Sequence, residues 1–434
     1  MSIIIPKIVV IGGGAGGLEL VTQLGHKLGK KKHADILLID KNRTHIWKPL
    51  LHEVATGSID PDLDSVVYSA HAVKHYYRFQ LGTFFNIDQS NQTITLAPFY
   101  DELGHTILPE RSVPYDYLVI AIGSVSHDFN IPGIKEHCYF LDSNQQAQRF
   151  QHSLLDSFTR IHQDDNQQQS LTIAIVGGGA TGVELSAELY HVSGLLKLYG
   201  LTNMSSKRLR IQLIEAGPRI LPALPERIAT SAKLELSKLG VNVCEHTQVK
   251  EANEHGFITQ NNERIDADIM VWAAGIKAPD FIEDLGIFEI TRSNQIQVNQ
   301  FLQSTVDDSI FVLGDCCAFT QADGIQVPPR AQSAHQMAQC VERNLIATLK
   351  NQPLSSFEYK DHGSLVNLSG YNTVGNLMGN LTNNSFFIEG KIARFMYISL
   401  YRMHQRAIHG IVKTFILWIV EKLLRVGRPK MKLH

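Results

Sequence analysis

The chain is short of cysteine: Cys138, Cys244, Cys316, Cys317 and Cys340 are the only ones among 434 residues, and none stands at C-x-x-C spacing or in a ligand-like pattern with histidine. That spacing excludes iron–sulfur and zinc centres, so any electron chemistry has to come from an organic cofactor. Cys316 and Cys317 follow a buried-strand pattern and read as small core residues. Long apolar runs are missing too: the run at 415–420 falls far below the ~20 residues that cross a bilayer. The first strand begins almost at Met1, leaving no room for a signal or transit peptide, and the expectation is folding in a reducing compartment. Net charge is nearly absent at −2, but it is unevenly divided: residues 391–434 carry ten Lys/Arg against one acid, Glu421. Such a tail is expected to meet something anionic.

Glycine is present in a telling order. Residues 7–12 form an apolar strand that runs into Gly12-Gly-Gly-Ala-Gly-Gly17 and then a helical pattern, so Gly12, Gly14 and Gly17 make G-x-G-x-x-G. Gly12 permits the turn out of the strand, Gly14 keeps a Cβ away from a pyrophosphate, and Gly17 lets the helix approach the sheet. The helix N-terminus then faces the phosphates. A second apolar strand, 36–39, ends in Asp40, near the offset expected of an acid that binds ribose hydroxyls.

The same order returns at 172–176, with Gly177, Gly179 and Gly182, and the 210–215 strand ends in Glu215 after what reads as a surface excursion at 193–207. Later strands run into glycine turns at Gly123 and Gly275, and another ends in Gly314-Asp315. Residues 79–97 alternate as strands do, 144–162 reads as a helix, and a further helix runs from Pro328 to about Leu349 with Gln332 and Gln336 on one face. The fold class is α/β with two Rossmann-like dinucleotide-binding domains and a C-terminal amphipathic region. The expected divisions are 1–125 (first part of the first dinucleotide-binding domain), 126–290 (the second such domain, inserted), 291–350 (the remaining part of the first) and 351–434 (the C-terminal amphipathic region).

With both glycine motifs, Gly314-Asp315 and Ala331-Gln332-Ser-Ala334-His-Gln336 in view, the chain resembles the type II NADH:quinone oxidoreductases, a branch of the two-dinucleotide-binding-domain flavoproteins, over nearly its whole length. The resemblance implies non-covalent FAD at Gly12, Gly14, Gly17, Asp40, Lys41, Lys48, Gly123, Gly314, Asp315, Ala331 and Gln332. It implies NADH at Gly177, Gly179, Gly182, Glu184, Glu215 and Gly275. Glu184, Gln332 and Gln336 are the implied catalytic residues, and Gln332, Gln336 and His362 the implied quinone contacts, although the family often has lysine where Asp361-His-Gly-Ser364 places His362. Lys48-Pro-Leu-Leu-His-Glu-Val-Ala-Thr-Gly57 resembles the family's flavin-side loop, and the disulfide reductases' C-x4-C is missing from 41–57.

Glu184 admits a second reading as a first-turn carboxylate complementing the helix dipole. Glu215 accepts from a ribose diol and repels a 2′-phosphate, which favours NADH over NADPH, with Arg219 a partial offset. In the tail, Arg402, Arg406, His409 and Lys413 make one helical stripe and Ile408, Ile411, Val412, Phe415, Trp418 and Ile419 another, the pattern of helices lying in a membrane interface.

The expected protein is a peripheral membrane flavoenzyme on the cytoplasmic face of the inner membrane. It is expected to pass two electrons from NADH through FAD to ubiquinone or menaquinone without pumping protons, as a homodimer with no metal or nucleic-acid partner. A sulfide:quinone oxidoreductase-like flavoprotein using Cys138 and Cys340, and a non-catalytic NADH sensor, stay open as alternatives.

Overall fold

The computed structural model describes residues 5–164, 169–204, 206–368, 372–378, 385–389, 401–427 and 431–432. Its first sheet is wholly parallel, in the order Ile310–Val312, Tyr117–Ile120, Lys7–Ile11, Asp35–Asp40, Arg78–Leu81. Ile8 to Ile11 and Ile36 to Ile39 are buried without alternation, as strands covered on both faces must be. The chain leaves Lys7–Ile11 toward one neighbour and returns on the other side, so Gly12 stands at the crevice where strand order reverses. The second sheet repeats this with Asn242–Cys244, Leu209–Ile214, Leu171–Val176 and Ile269–Trp272.

Two passages join the domains side by side. Val125–Ser126 leads out and Ile276–Lys277 leads back, and they pair antiparallel, Val125 with Lys277 and Ser126 with Ile276. Ala278 and Ile282 then pack in the first core, which draws the packing boundary near residue 277. The helix expected at 144–162 spans Asn144–His162, capped by the Ser143 hydroxyl, which accepts from the Gln146 amide. The 193–207 excursion is only partly superficial. Leu196 and Met204 are fully buried in the second core, because apolar side chains punctuate an otherwise polar loop.

The tail's described residues divide its stripes between two helices. It forms a helix over 401–409, turns at Gly410 with φ +79°, and continues as Ile411–Gly427. A left-handed turn at a residue without Cβ lets the two helices take different directions. Ile408 accordingly leaves the exposed stripe and packs in the first core at 2% exposure, whereas Ile411, Val412, Phe415 and Ile416 are exposed. The part of the tail at 391–400 lies outside the described residues. Near the chain end, Lys432 makes ion pairs of 3.0 Å with Asp60 and Asp62, and its amide donates to the Gly57 carbonyl.

The 401–409 helix docks through imidazoles. His404 Nε2 meets His45 Nε2 at 2.9 Å, and His71 Nε2 donates to the Ile408 carbonyl at 2.8 Å while its Nδ1 meets the Tyr77 hydroxyl. Burial pushes His45 and His71 down to about 4 and His75 and His409 to about 3; His404 is also lowered. Neighbouring imidazoles and the ammonium groups of Lys74 and Lys413 reinforce the effect. A depressed imidazole pKa makes the folded state bind fewer protons than the unfolded one, so the seam has its full stability above about pH 6.5 and loses it as pH falls toward 4. The protection factors of the 401–409 amides, observed exchange corrected for the intrinsic rate at each pH, are therefore expected to fall from pH 7.5 to 5, and unchanged protection would contradict this account.

Candidate active site

The opening helix, Ala15–Lys27, makes its first internal bond from the Leu18 amide to the Gly14 carbonyl, leaving the amides of residues 15–17 without intrahelical acceptors. A Cβ on Gly12 would stand 2.3 Å from the Ala121 oxygen, and one on Gly17 would stand 1.9 Å from the Gly12 oxygen; one on Gly14 would meet nothing within 4 Å. The first two glycines close the turn, and the third faces open space of the kind a dinucleotide phosphate fills. Asp40, at the end of the second strand, accepts from the Gly13 amide at 2.7 Å and from the Asn42 amide at 2.7 Å. Burial raises its carboxyl above the usual range against those bonds. Lys41 is exposed beside it.

The second cradle copies the first. Its helix, Ala180–Leu195, opens with the Val183 amide donating to the Gly179 carbonyl; Gly179 faces open space, and a Cβ on Gly182 would meet the Gly177 oxygen at 2.1 Å. Glu215 accepts from the Gly178 amide on one oxygen and from the Gly217 amide on the other, both at 2.7 Å. Each oxygen keeps a second lone pair for a ribose hydroxyl. The guanidinium of Arg219 donates to the carbonyls of Leu221, Pro222 and Leu224, which commits its Nη1 and Nη2 donors to the backbone. Glu215→Gln is expected to lower kcat/KM for NADH roughly tenfold and to narrow the preference over NADPH, a ratio read directly from steady-state rates.

Between the cradles lies the segment 48–57, a single 3-10 turn over Lys48–Leu50 followed by a short helix over Leu51–Ala55. Lys48 Nζ donates to the Ser124 carbonyl at 2.8 Å and stands 3.7 Å from Asp142; the Ser124 hydroxyl donates to Asp315 at 2.8 Å. Gly123, Gly314, Asp315 and Lys48 are thereby gathered at one point, from segments far apart in the chain. Asp142 also accepts from the Ser126 amide and hydroxyl, which anchors the outgoing passage. From the same segment, His52 Nδ1 lies 3.7 Å from Glu184 Oε2, and both side chains are buried. Burial lowers the His52 pKa, opposed by the charge of Glu188, whose carboxylate accepts from the Ser58 hydroxyl. Because the helix begins at Ala180, Glu184 falls in its second turn, not the first, where a dipole effect has largely decayed.

The third component is the Ala331–Leu349 helix. Ala334 packs at Gly314 and Gly16, placing the helix start beside the first cradle. Gln332 and Gln336 share a face, and both turn onto one backbone position: each side-chain amide donates to the Lys360 carbonyl, at 3.3 and 2.8 Å, and Gln336 accepts from the Lys360 amide at 2.9 Å. They hold the 360 segment, which carries exposed His362, against the helix. His335, one residue before Gln336, meets the buried Glu19 carboxylate at 2.6 Å, a bond that raises the imidazole pKa.

Ser124, Asp142, His52, Glu188, Glu19 and His335 were not marked by the sequence motifs. The thiols are poorly placed for sulfur chemistry: all five are free, and burial pushes Cys138 and Cys316 up to about 12 and raises Cys244, Cys317 and Cys340 as well. Thiolate, the reactive form, is disfavoured at each of them.

Residues 6–338 match the pyridine nucleotide-disulphide oxidoreductase family. The type II NADH:quinone oxidoreductase of Haemophilus influenzae is 47% identical across 99% of this chain and 100% of its own length. The Staphylococcus aureus protein of the same name is 31% identical over 90% of this chain and 92% of that one. Among solved structures, NDH2 from Plasmodium falciparum in complex with NADH superposes with a TM-score of 0.81 at 19% identity, covering 98% of this chain and 100% of that one. The sulfide:quinone oxidoreductase of Aquifex aeolicus gives 0.72 at 18% identity, with coverage of 94% and 92%, and so shares the fold. The family match over residues 6–338, with one relative 47% identical from end to end and another 31% identical over nine-tenths of each chain, places this chain in the type II NADH:quinone oxidoreductase family.

Proposed function

We propose that the protein oxidises NADH and reduces a membrane quinone, ubiquinone or menaquinone, through a non-covalently held FAD, without translocating protons. The observation that carries the reading is the meeting of His52, from the flavin-side loop, with Glu184, from the nucleotide helix, at 3.7 Å where the two cradles adjoin. When bound, FAD stores the electron pair between a hydride donor and a quinone without any metal. The chain's own residues bind and orient. The amides of 15–17 and Asp40 take the FAD phosphates and ribose, with Gly123, Gly314 and Asp315 along its length and Lys48 fixing the loop. Gly177, Gly179, Gly182, Glu215 and Gly275 take NADH, whose nicotinamide reaches Glu184. Gln332 and Gln336, with His362 on the segment they hold, border the quinone end. Buried Glu184 stands where NADH oxidation leaves a positive ring.

Membrane attachment belongs to the same proposal: the exposed apolar side chains of Ile411–Gly427 enter the lipid interface, and basic residues of the tail face anionic headgroups on the cytoplasmic side. Among the described residues no helix is long and apolar enough to cross a membrane. A homodimer completes the proposed assembly. The purified protein should be yellow, bleach anaerobically with NADH and regain colour on adding quinone. A colourless protein that takes up no FAD would end the proposal, and bleaching without recovery would remove the quinone step.

A further inference from the structure

The seam between the tail and the first domain gathers positive and hydrogen-bonding groups around no anion. His75, only 5% exposed, turns Nδ1 toward His26 Nε2 at 2.9 Å, and its Nε2 is buried without a hydrogen-bond partner among the described residues. His409 Nδ1 is in the same condition. Between them lies His71, stacked on His75 at 4.0 Å and 5.8 Å from the His409 ring, with both its nitrogens already engaged. Lys74, ending the Tyr68–Lys74 helix, and Lys413, in the first turn of Ile411–Gly427, act electrostatically on this group and on each other. Among the described residues, the charged groups that act most strongly on His71, His75, His409 and Lys413 are imidazoles and ammoniums.

Two ammoniums that repel each other and buried ring nitrogens without partners are costly as they stand. An anion reverses both costs. Its oxygens would accept from the lysines and select the tautomers that carry N–H at His75 Nε2 and His409 Nδ1. On the two helices that carry these lysines, Val73 is 82% exposed, Val412 74%, Ile411 64% and Phe415 57%. Charge and hydrocarbon together call for a ligand with both.

We propose that this junction is a specific site for one anionic phospholipid, its phosphodiester held by Lys74, Lys413, His75 and His409 and its acyl chains lying on Val73, Ile411, Val412 and Phe415. The proposal rests on the membrane attachment proposed above and adds a defined site to it.

The test is native mass spectrometry of the full-length protein, loaded with FAD, released from nanodiscs of mixed phosphatidylglycerol and phosphatidylcholine. The expected result is one retained phosphatidylglycerol, no retained phosphatidylcholine, and about a tenfold lower retained fraction in the Lys74→Gln, Lys413→Gln double variant. Arg425→Gln with Arg428→Gln removes equal charge further along the tail and should keep the lipid. Bleaching by NADH reports that each variant is folded. Equal loss in both double variants would reduce the site to diffuse charge attraction and overturn it. Displacement of the lipid by inorganic phosphate alone would overturn the lipid assignment in favour of a free-phosphate site. Failure of the unaltered protein to enter nanodiscs would instead overturn membrane attachment, and this site with it.

Discussion

Glu184→Gln protein is expected to stay yellow yet bleach with NADH about a hundredfold more slowly, because one preorganised charged contact in a buried site is worth roughly 2–3 kcal/mol to a step that develops charge. The side chain is 6% exposed, so its carboxylate acts in a medium that screens poorly. Its neighbour His52, 3.7 Å away, is pushed toward neutrality by burial. Glutamine keeps the shape and removes the charge. A carboxylate serving only the helix dipole would behave otherwise: turnover would hold and stability would fall by no more than about 1 kcal/mol. Stopped-flow bleaching and a thermal melt on the same sample separate the two.

The second large effect concerns the tail. Phe415→Glu with Ile419→Glu should move the protein from the membrane fraction to the supernatant, with a fall in vesicle partitioning on the order of a thousandfold. Each side chain, 57% and 39% exposed, contributes roughly 1.5–3 kcal/mol when buried in lipid, and each new carboxylate is repelled by anionic headgroups. These positions serve better than removal of residues 391–434. Ile408 and His404 belong to the folded body, and Lys432 returns to Asp60 and Asp62, so truncation would damage the domain as well as release it. Flotation with phosphatidylglycerol vesicles measures the change, and retained flotation would refute interfacial anchoring.

How much was legible in the chain depended on distance along it. Gly12, Gly17, Gly177, Gly182, Asp40 and Glu215 were readable because a strand, a tight turn and a helix are local, and steric demands repeat at fixed spacing. The Asn144–His162 helix was readable as a helix, while its Ser143 cap emerged only from the structure. Contacts that complete the site were not: His52 with Glu184, Ser124 with Asp315 and His45 with His404 join residues that only the fold brings together, and no spacing rule encodes them. Gln332 and Gln336 stood out in sequence, but their common partner is a backbone group at Lys360, which has no side-chain signature. Ile408 matched the apolar stripe and still turned inward, since one glycine redirected the helix.

Strands Val125–Ser126 and Ile276–Lys277, lying edge to edge as the covalent passages between the domains, behave as a flat spring. Such a ribbon twists readily about its length but resists sliding, because sliding would break its ladder. A rotation of the second domain about this ribbon is expected to meet the Lys48–Asp142 and His52–Glu184 contacts first, so loosening either one should appear as multiphasic bleaching by NADH before any loss of binding.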